Sequence, residues 1–181
     1  MNAIGIVELN SVARGFAAAD AMLKAASVGL HAAKPVCPGK YAILVYGGVA
    51  EVQASVHAGT DAGGEFVVDQ LVIARVHKDV WPAITGTLTP PEINALGIIE
   101  TYSIASTVQA ADAAVKAAAV DLIEVRLALG LAGKAFTTLT GEVGAVRAAV
   151  EAGAQSASSS GMLVEKVVIP APAKGLTVLS L

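Results

Sequence analysis

The alternation of apolar and polar positions predicts six elements in the first half of the chain. Short apolar runs of strand length alternate with Ala-rich segments whose apolar residues recur at helical spacing. In chain order these are a strand, a helix, two strands, a helix and a strand, over 4–9, 15–26, 28–36, 41–46, 49–63 and within 66–76. The two middle strands are joined by Cys37-Pro38-Gly39-Lys40, in which Pro38 and Gly39 favour a turn. The order β-α-β-β-α-β predicts an α+β domain.

The second half repeats this pattern. Gly5 and Gly97 lie 92 positions apart, as do Glu8 and Glu100, whereas Lys40 and Lys134 lie 94 positions apart. The corresponding elements are predicted over 98–101, 106–119, 122–129, 135–139, 143–157 and 162–169. The second copy therefore has two extra residues before Lys134, in the segment that corresponds to the cysteine turn. The chain is a duplicated fold in which one turn has changed.

The repeat predicts two domains, over 1–86 and 96–181, joined by a linker over 87–95 that contains Pro90-Pro91. A domain of ~90 residues buries only a little more than ~60% of its unfolded surface. We therefore expect the two copies to share an interface, to which the repeated Glu8 and Glu100 are assigned, and the chain to form an obligate oligomer. The C-terminal PAPAKGLTVLSL is predicted either to pack on a neighbour or to lie along the surface.

Composition narrows the classes of function. Hydrophobic residues make up 55% of the chain, but charged residues interrupt every run, so no membrane span or secretory signal is expected. The net charge is −3 with dispersed Lys and Arg, which argues against a nucleic-acid surface. Aromatic residues are only 4%, which argues against a large ligand pocket. A single cysteine allows no intrachain disulfide and suits the cytosol.

The motifs AIGIVEL, AADAMLKAASV, a Gly-containing turn and GGVAEVQASVHAG occur in order, and both halves match them. Their combination resembles the bacterial microcompartment shell-protein domain. The pair VCPGK and ALGLAGK is similar to the subtype first known from the propanediol-utilisation shell. The resemblance implies two ferredoxin-like domains in tandem, a pseudohexameric homotrimer, and a sheet shared with hexameric and trimeric shell proteins in the bacterial cytoplasm.

In that subtype, the resemblance implies, one cysteine per chain meets its equivalents on the threefold axis and binds a [4Fe-4S] cluster. Iron–sulfur clusters need several thiolates, which one chain with Cys37 alone cannot supply but threefold symmetry can. Electron transfer across the shell, or delivery of a cluster to enclosed oxidoreductases, is the implied function. The turn residues assigned to this centre are Val36, Cys37, Pro38, Gly39 and Lys40 of the first copy, and Gly130, Leu131, Ala132, Gly133 and Lys134 of the second.

Other interpretations of these residues stay open. Cys37 could be a packing residue or line a metal-free metabolite pore, and Lys40 could offset thiolate charge or be an ordinary rim charge. Lys24 and Lys116 match the edge lysine of the family, although each also lies four residues after an aspartate, as expected of a solvated helix face. An enzyme would need Cys37 paired with one of the histidines, His31, His57 and His77. We expect a structural protein rather than an enzyme, because no third orienting group is apparent.

Overall fold

A computed structural model describes residues 3–89, 92–128 and 130–176. The first repeat contains β1 (Ala3–Leu9), α1 (Val12–Ala25), β2 (Gly29–Val36), β3 (Lys40–Gly47), α2 (Val49–Gly63), a 3₁₀ turn (Gly64–Phe66) and β4 (Val67–Ala74). After a short helix α3 (Val80–Thr85), the second repeat contains β5 (Ala95–Thr101), α4 (Ile104–Ala117), β6 (Asp121–Arg126), β7 (Ala135–Gly141), α5 (Val143–Ser158) and β8 (Leu163–Ile169). The predicted β-α-β-β-α-β order is confirmed in both copies.

Each repeat forms an antiparallel four-stranded sheet. The strand orders are β2-β3-β1-β4 and β6-β7-β5-β8, so the first strand of each repeat lies in the interior of its sheet. Glu8 on β1 lies opposite Ala42 on β3 and Asp69 on β4. In the same register, Glu100 on β5 lies opposite Phe136 on β7 and Glu165 on β8. The duplicated sequence thus gives the same strand pairing in both repeats. In each, the glutamate of the first strand lies opposite an acidic residue of the last strand.

The helices of the first repeat pack on one face of its sheet. Gly5 is a point of close approach, because a Cβ atom added there would lie 2.6 Å from Val56 and 2.8 Å from Val52 on α2. Gly97 in the second repeat is crowded in the same way by Val150 and Val146 on α5. The repeated glycines therefore let a helix lie directly against the central strand. The hydrophobic core of the first repeat includes Val7, Leu9, Met22, Tyr41, Ile43, Val45, Val52 and Val56.

The chain divides into two compact units that do not follow the midpoint of the sequence. The first contains the described residues of Met1–Val76 and two short segments of the second half, Ser103–Ala105 and Ala128–Gly133. The second contains the described residues of His77–Tyr102, Ser106–Leu127 and Lys134–Leu181. Among the described residues, the structure contains no helix long and apolar enough to cross a membrane.

Several predicted bounds differ from the observed ones for local reasons. Helix α1 begins at Val12 rather than at residue 15, because the Ser11 hydroxyl accepts a hydrogen bond from the Arg14 backbone N–H at 3.2 Å and caps the helix. Strand β6 ends at Arg126, short of the predicted 129, and residue 129 itself lies outside the described residues. Helix α3 was not predicted. The predicted Pro90-Pro91 linker and residues 177–181 of the C-terminal segment also lie outside the described residues.

Candidate functional site

The cysteine turn joins β2 to β3 and presents its thiol to solvent. Val36 is buried at the end of β2, and its carbonyl accepts a hydrogen bond from the Gly39 N–H at 3.1 Å. The Cys37–Pro38 peptide bond is cis, and Gly39 has φ +89°, a left-handed conformation that favours glycine. Cys37 is an exposed free thiol. The turn is therefore anchored at its base and open at its tip.

The corresponding turn of the second repeat has a different backbone. Gly130 and Gly133 have φ values of +73° and +86°, and the two alanines Ala128 and Ala132 have φ values of +43° and +50°. Left-handed conformations are uncommon for residues with a Cβ atom. Gly130 and Ala132 are exposed, Leu131 is half-buried, and Gly133 is buried. This turn carries no thiol and stores backbone strain at its two alanines.

The two turns lie against each other within the first compact unit. A Cβ atom added at Gly133 would lie 2.8 Å from Pro38 Cδ and 3.4 Å from the Cys37 carbonyl oxygen. Lys40 Nζ lies 3.5 Å from the Gly133 carbonyl oxygen. The structure thus brings together four of the residues assigned from sequence to one centre, Cys37, Pro38, Lys40 and Gly133.

Lys40 forms an ion pair with a buried carboxylate. Its Nζ donates to Glu8 Oε1 at 2.9 Å, and the backbone N–H of Ile104, the first residue of α4, donates to Glu8 Oε2 at 2.8 Å. The Glu8 side chain is fully buried, whereas that of Lys40 is 16% exposed. Burial raises the pKa of Glu8, while the hydrogen bonds from Lys40 and Ile104 act in the opposite direction. Lys40 is therefore paired with Glu8 as well as lying beside the cysteine turn.

A second acidic residue holds the same helix start. The Ser103 hydroxyl donates a short hydrogen bond to Asp69 Oδ2, and Asp69 lies opposite Glu8 in the β1–β4 register. Glu8 and Asp69 together bind the backbone and side-chain donors of Ser103 and Ile104. Negative groups at the N-terminus of a helix satisfy its free N–H groups and interact favourably with its dipole.

The second repeat has the same lysine–carboxylate pair in a more open setting. Lys134 Nζ lies 2.5 Å from Glu100 Oε1, with side-chain exposures of 39% and 31%. Sequence reasoning assigned Glu8 and Glu100 together to an interface on the strength of the repeat, but it did not identify their lysine partners. The signal for these pairs was present in the sequence, because both repeats have a glutamate on the first strand and a lysine just before or at the start of the third.

The predicted edge lysines occupy different environments. Lys24 Nζ pairs with Asp20 at 2.6 Å on the exposed face of α1, and Lys116 Nζ pairs with Asp112 at 2.5 Å on α4. Asp112 is buried and also accepts a hydrogen bond from the His77 backbone N–H at 2.8 Å. The i,i+4 pairing is present in both copies, but only the second pair is tied to the segment that joins the repeats.

The histidines are spread over three elements. His31 lies on β2, where five residues of extended chain, about 16 Å, separate it from the end of the strand at Val36. The exposed side chain of His57 lies on α2 near Asp61, and His77 follows β4 near Asp79. Burial and the neighbouring Lys34 lower the pKa of His31. Within the described ranges, no three side chains of His, Cys, Asp or Glu are grouped to hold a metal ion.

These features define a class of protein with two α+β repeats in tandem, in which the turn between the two middle strands carries an exposed thiol in the first repeat only. A family model, the BMC domain, matches residues 3–76 and 95–172. The bacterial microcompartment shell protein PduT of Citrobacter freundii is 44% identical over 170 residues, covering 94% of this chain and 92% of that protein. The carboxysome shell protein CsoS1A of Hydrogenovibrio crunogenus is 41% identical over 86 residues, covering 46% of this chain and 90% of that protein.

A solved structure agrees with these matches. The crystal structure of a microcompartment protein from Desulfitobacterium hafniense DCB is 54% identical, with a TM-score of 0.87, covering 97% of this chain and 98% of that one. The chain belongs to the BMC-domain family of bacterial microcompartment shell proteins. Family membership confirms the expected fold class, the location in a microcompartment shell and the expected structural, non-enzymatic role.

Proposed function

We propose that three copies of this chain assemble into a pseudohexameric disc that tiles, with hexameric and other trimeric shell proteins, into the wall of a bacterial microcompartment. The BMC-domain model matches both repeats, and each repeat has its own four-stranded sheet. Exposed apolar side chains on α1, Phe16 and Leu23, also support burial against another copy. On this proposal the wall function requires no chemistry from the chain.

We further propose that Cys37 adds a redox centre to the wall. Three Cys37 thiolates, one from each copy, would hold a [4Fe-4S] cluster on the threefold axis. The observation that carries this proposal is the exposed free thiol at the tip of a turn that the second repeat does not share. The donor set fits, because Cys thiolates are the ligands such clusters prefer and the thiol is accessible from outside the chain.

The residues around Cys37 would support the centre in distinct ways. Buried Val36 and its hydrogen bond to Gly39 hold the base of the turn, so the thiol keeps its direction. Lys40 is held by Glu8 close to the turn, which keeps a positive charge near the thiolates. When bound, the cluster supplies one-electron transfer at a potential set by exposure and hydrogen bonds. Enclosed oxidoreductases would be the electron partners or the recipients of the cluster.

The test is the content of iron and acid-labile sulfide in protein purified without oxygen, combined with absorption and EPR spectra. We expect about four irons per three chains and a cubane-type signal. Cys37→Ser should remove iron and colour while the oligomer measured by native mass spectrometry persists. Lys174→Ser, a change of an exposed residue after the last described strand, is the control and should keep the iron. Iron retained by Cys37→Ser would contradict the assignment of the ligand.

A metal-free pore is the second candidate. The open space beside Gly39 and Gly130, where an added Cβ atom would meet nothing within 4 Å, is compatible with a passage between the turns. In that case the intact oligomer would hold no iron above background under anaerobic conditions. Small metabolites would then pass between the turns, and Cys37 would act as a pore-lining side chain.

A further inference from the structure

The starts of helices α1 and α4 occupy equivalent places in the repeat but have opposite environments. Val12 and Phe16 on α1 correspond to Ile104 and Val108 on α4, at a spacing of 92 residues. Ile104 and Val108 are 1% and 0% exposed, whereas Phe16 is 62% exposed and Val12 is half-buried. A surface that is covered in one repeat is therefore uncovered in the other.

The first compact unit shows what binds the start of α4. Glu8 accepts from the Ile104 N–H, and Asp69 accepts from the Ser103 hydroxyl. Lys40, paired with Glu8, reaches the Gly133 carbonyl. These three side chains form what we call the first receiving face, Glu8, Lys40 and Asp69.

The repeat defines a second receiving face, Glu100, Lys134 and Glu165. Glu100 and Lys134 form the equivalent ion pair, and Glu165 lies opposite Glu100 as Asp69 lies opposite Glu8. Both side chains of this ion pair are more than 30% exposed, in contrast to the buried pair of the first face. The second face thus has the chemistry to bind a helix start and retains accessible surface.

We infer that the second receiving face of one copy binds the start of α1 in a second copy of this chain. Glu100 accepts a hydrogen bond from the Val12 N–H of that copy, Glu165 accepts from its Ser11 hydroxyl, and Lys134 donates to its Gly39 carbonyl. Each contact is the repeat counterpart of one observed within the first unit. The inference rests on the proposed assembly and assigns its contacts to residues.

The start of α1 suits this partner. Its first-turn N–H groups lack partners within the helix, as at every helix N-terminus. Ser11 uses its oxygen to accept from Arg14, which leaves the hydroxyl hydrogen to donate. Contact at this place would also cover Phe16, as Val108 is covered in the second repeat.

The inferred interface joins two different surfaces, the second receiving face and the start of α1. Such a heterologous contact generates a closed ring where the rotation closes, and an open filament where it does not. Because Lys134 of one copy meets Gly39 of the next, each cysteine turn would be flanked by second-repeat turns from its own chain and from a neighbour. The contact therefore arranges the two kinds of turn alternately.

Paired cysteines test the geometry directly. In a Cys37→Ser chain, Ser11→Cys with Glu165→Cys should form disulfides between chains on mild oxidation, seen as covalent oligomers on a non-reducing gel. Ser103→Cys with Asp69→Cys, in the same background, is the matched control and should cross-link only within a chain. An internal cross-link in the first pair, or none while the control pair oxidises, would overturn the inference.

A measurement on the chain with its native cysteine is independent of disulfide geometry. Glu100→Ala should raise the concentration at which the oligomer half-dissociates by about ten-fold or more, because it leaves donors to a charged group without a partner. Glu100→Gln should have a smaller effect, and Glu151→Ala, which removes an exposed carboxylate on α5, should have none. If Glu100→Ala left the half-dissociation concentration of the oligomer unchanged, the inference would be overturned, whereas the proposed shell assembly would not. A chain that stays monomeric at every concentration would overturn both.

Discussion

The pair Glu8–Lys40 and the pair Glu100–Lys134 are the same chemistry in two settings. In each repeat a glutamate on the first strand pairs with the lysine that leads into the third. Glu8 is fully buried and also binds the first residue of α4, whereas Glu100 and Lys134 are both partly exposed. The comparison teaches that the repeat determines which residues pair, whereas contact with Ile104, 96 positions from Glu8, distinguishes the buried pair from the exposed one.

The largest expected effect comes from removing each glutamate in turn. Glu8→Ala leaves Lys40 and the Ile104 N–H in a buried site without their acceptor, and we expect the free energy of unfolding to fall by about 3–5 kcal/mol. Glu100→Ala breaks a partly exposed pair and should cost the isolated chain less than about 1 kcal/mol. Urea unfolding followed by circular dichroism, at a concentration where the chain is dissociated, measures both. Equal losses would break the comparison.

The cores of the two repeats offer a second comparison. Gly15 on α1 lies against Tyr41, whose ring atoms would come within 2.3 Å of an added Cβ. The corresponding residues in the second repeat are Thr107 and Ala135, and Thr107 Oγ1 lies 2.5 Å from Thr101 Oγ1. One repeat combines a glycine with a large ring and the other a larger residue with an alanine, so the same place is filled in two ways.

Gly15→Ala should therefore destabilise the chain by about 1–3 kcal/mol, because overpacking forces the buried Tyr41 ring to move. Gly144→Ala on α5 is the control, since an added Cβ meets nothing within 4 Å, and it should be neutral or slightly stabilising. Thermal unfolding of both variants checks the difference. If the Gly15→Ala chain were as stable as Gly144→Ala, the Tyr41 ring would be able to move aside without a loss of stability.

The buried carboxylate also predicts a dependence on pH. The folded pKa of Glu8 is raised above its ordinary value of 4.5, so the folded chain binds this proton more readily than the unfolded chain. Its contribution to stability is therefore fully present below pH 4.5 and is lost as pH rises through the folded pKa, with a slope of at most about 1.4 kcal/mol per pH unit. Lys40, Asp69 and the Ile104 N–H are the groups that face it.

Glu8→Gln, which cannot ionise, should lack this component. The difference in unfolding free energy between the native chain and Glu8→Gln, measured from pH 4 to pH 8, should shift against the native chain as pH rises. Glu100→Gln serves as the matched variant in the second repeat. A difference that stays constant over this range, or moves the other way, would contradict the raised pKa.

The smallest expected effect concerns the second-repeat turn. Ala132 has φ +50° in an exposed position, and glycine adopts that conformation without the steric cost. Glycine also loses more backbone freedom on folding, so Ala132→Gly should raise stability by only about 0.5–1 kcal/mol. The same substitution at exposed Ala171, outside the turns, should not stabilise. A destabilised Ala132→Gly chain would show that the turn depends on the alanine methyl group.

The order of the elements was predictable because apolar residues recur at clear strand or helix spacing in each repeat. Helix α2 runs from Val49 to Gly63, as the apolar spacing of Val49, Val52 and Val56 predicts. The start of α1 was missed because a single hydroxyl, Ser11, lengthens the helix by a turn. Helix α3 has only six residues, too few to show a helical apolar period, and its Pro82 lies in the first turn, where proline is tolerated.

The site was predictable only in part. A cysteine in a Pro-Gly turn, within a segment that the second repeat replaces, was visible from the alignment of the two halves. The burial of Glu8 was not, because Glu8 and Glu100 occupy equivalent positions on the first strand of each repeat. The difference comes from Ile104 and Ser103, which the fold places against the first repeat. Local pattern carries no information about such a contact.

The two turns are encoded at separate places in one gene, and this has a genetic consequence. In a shell protein with a single BMC domain, one codon change alters every copy of the domain alike. Here a change at Cys37 leaves Gly130, Ala132 and Gly133 untouched, so one turn can acquire a reactive side chain while the other keeps its backbone shape. Duplication has thus assigned the reactive side chain to one turn and the glycine-rich backbone to the other. A single domain would have to provide both with the same residues.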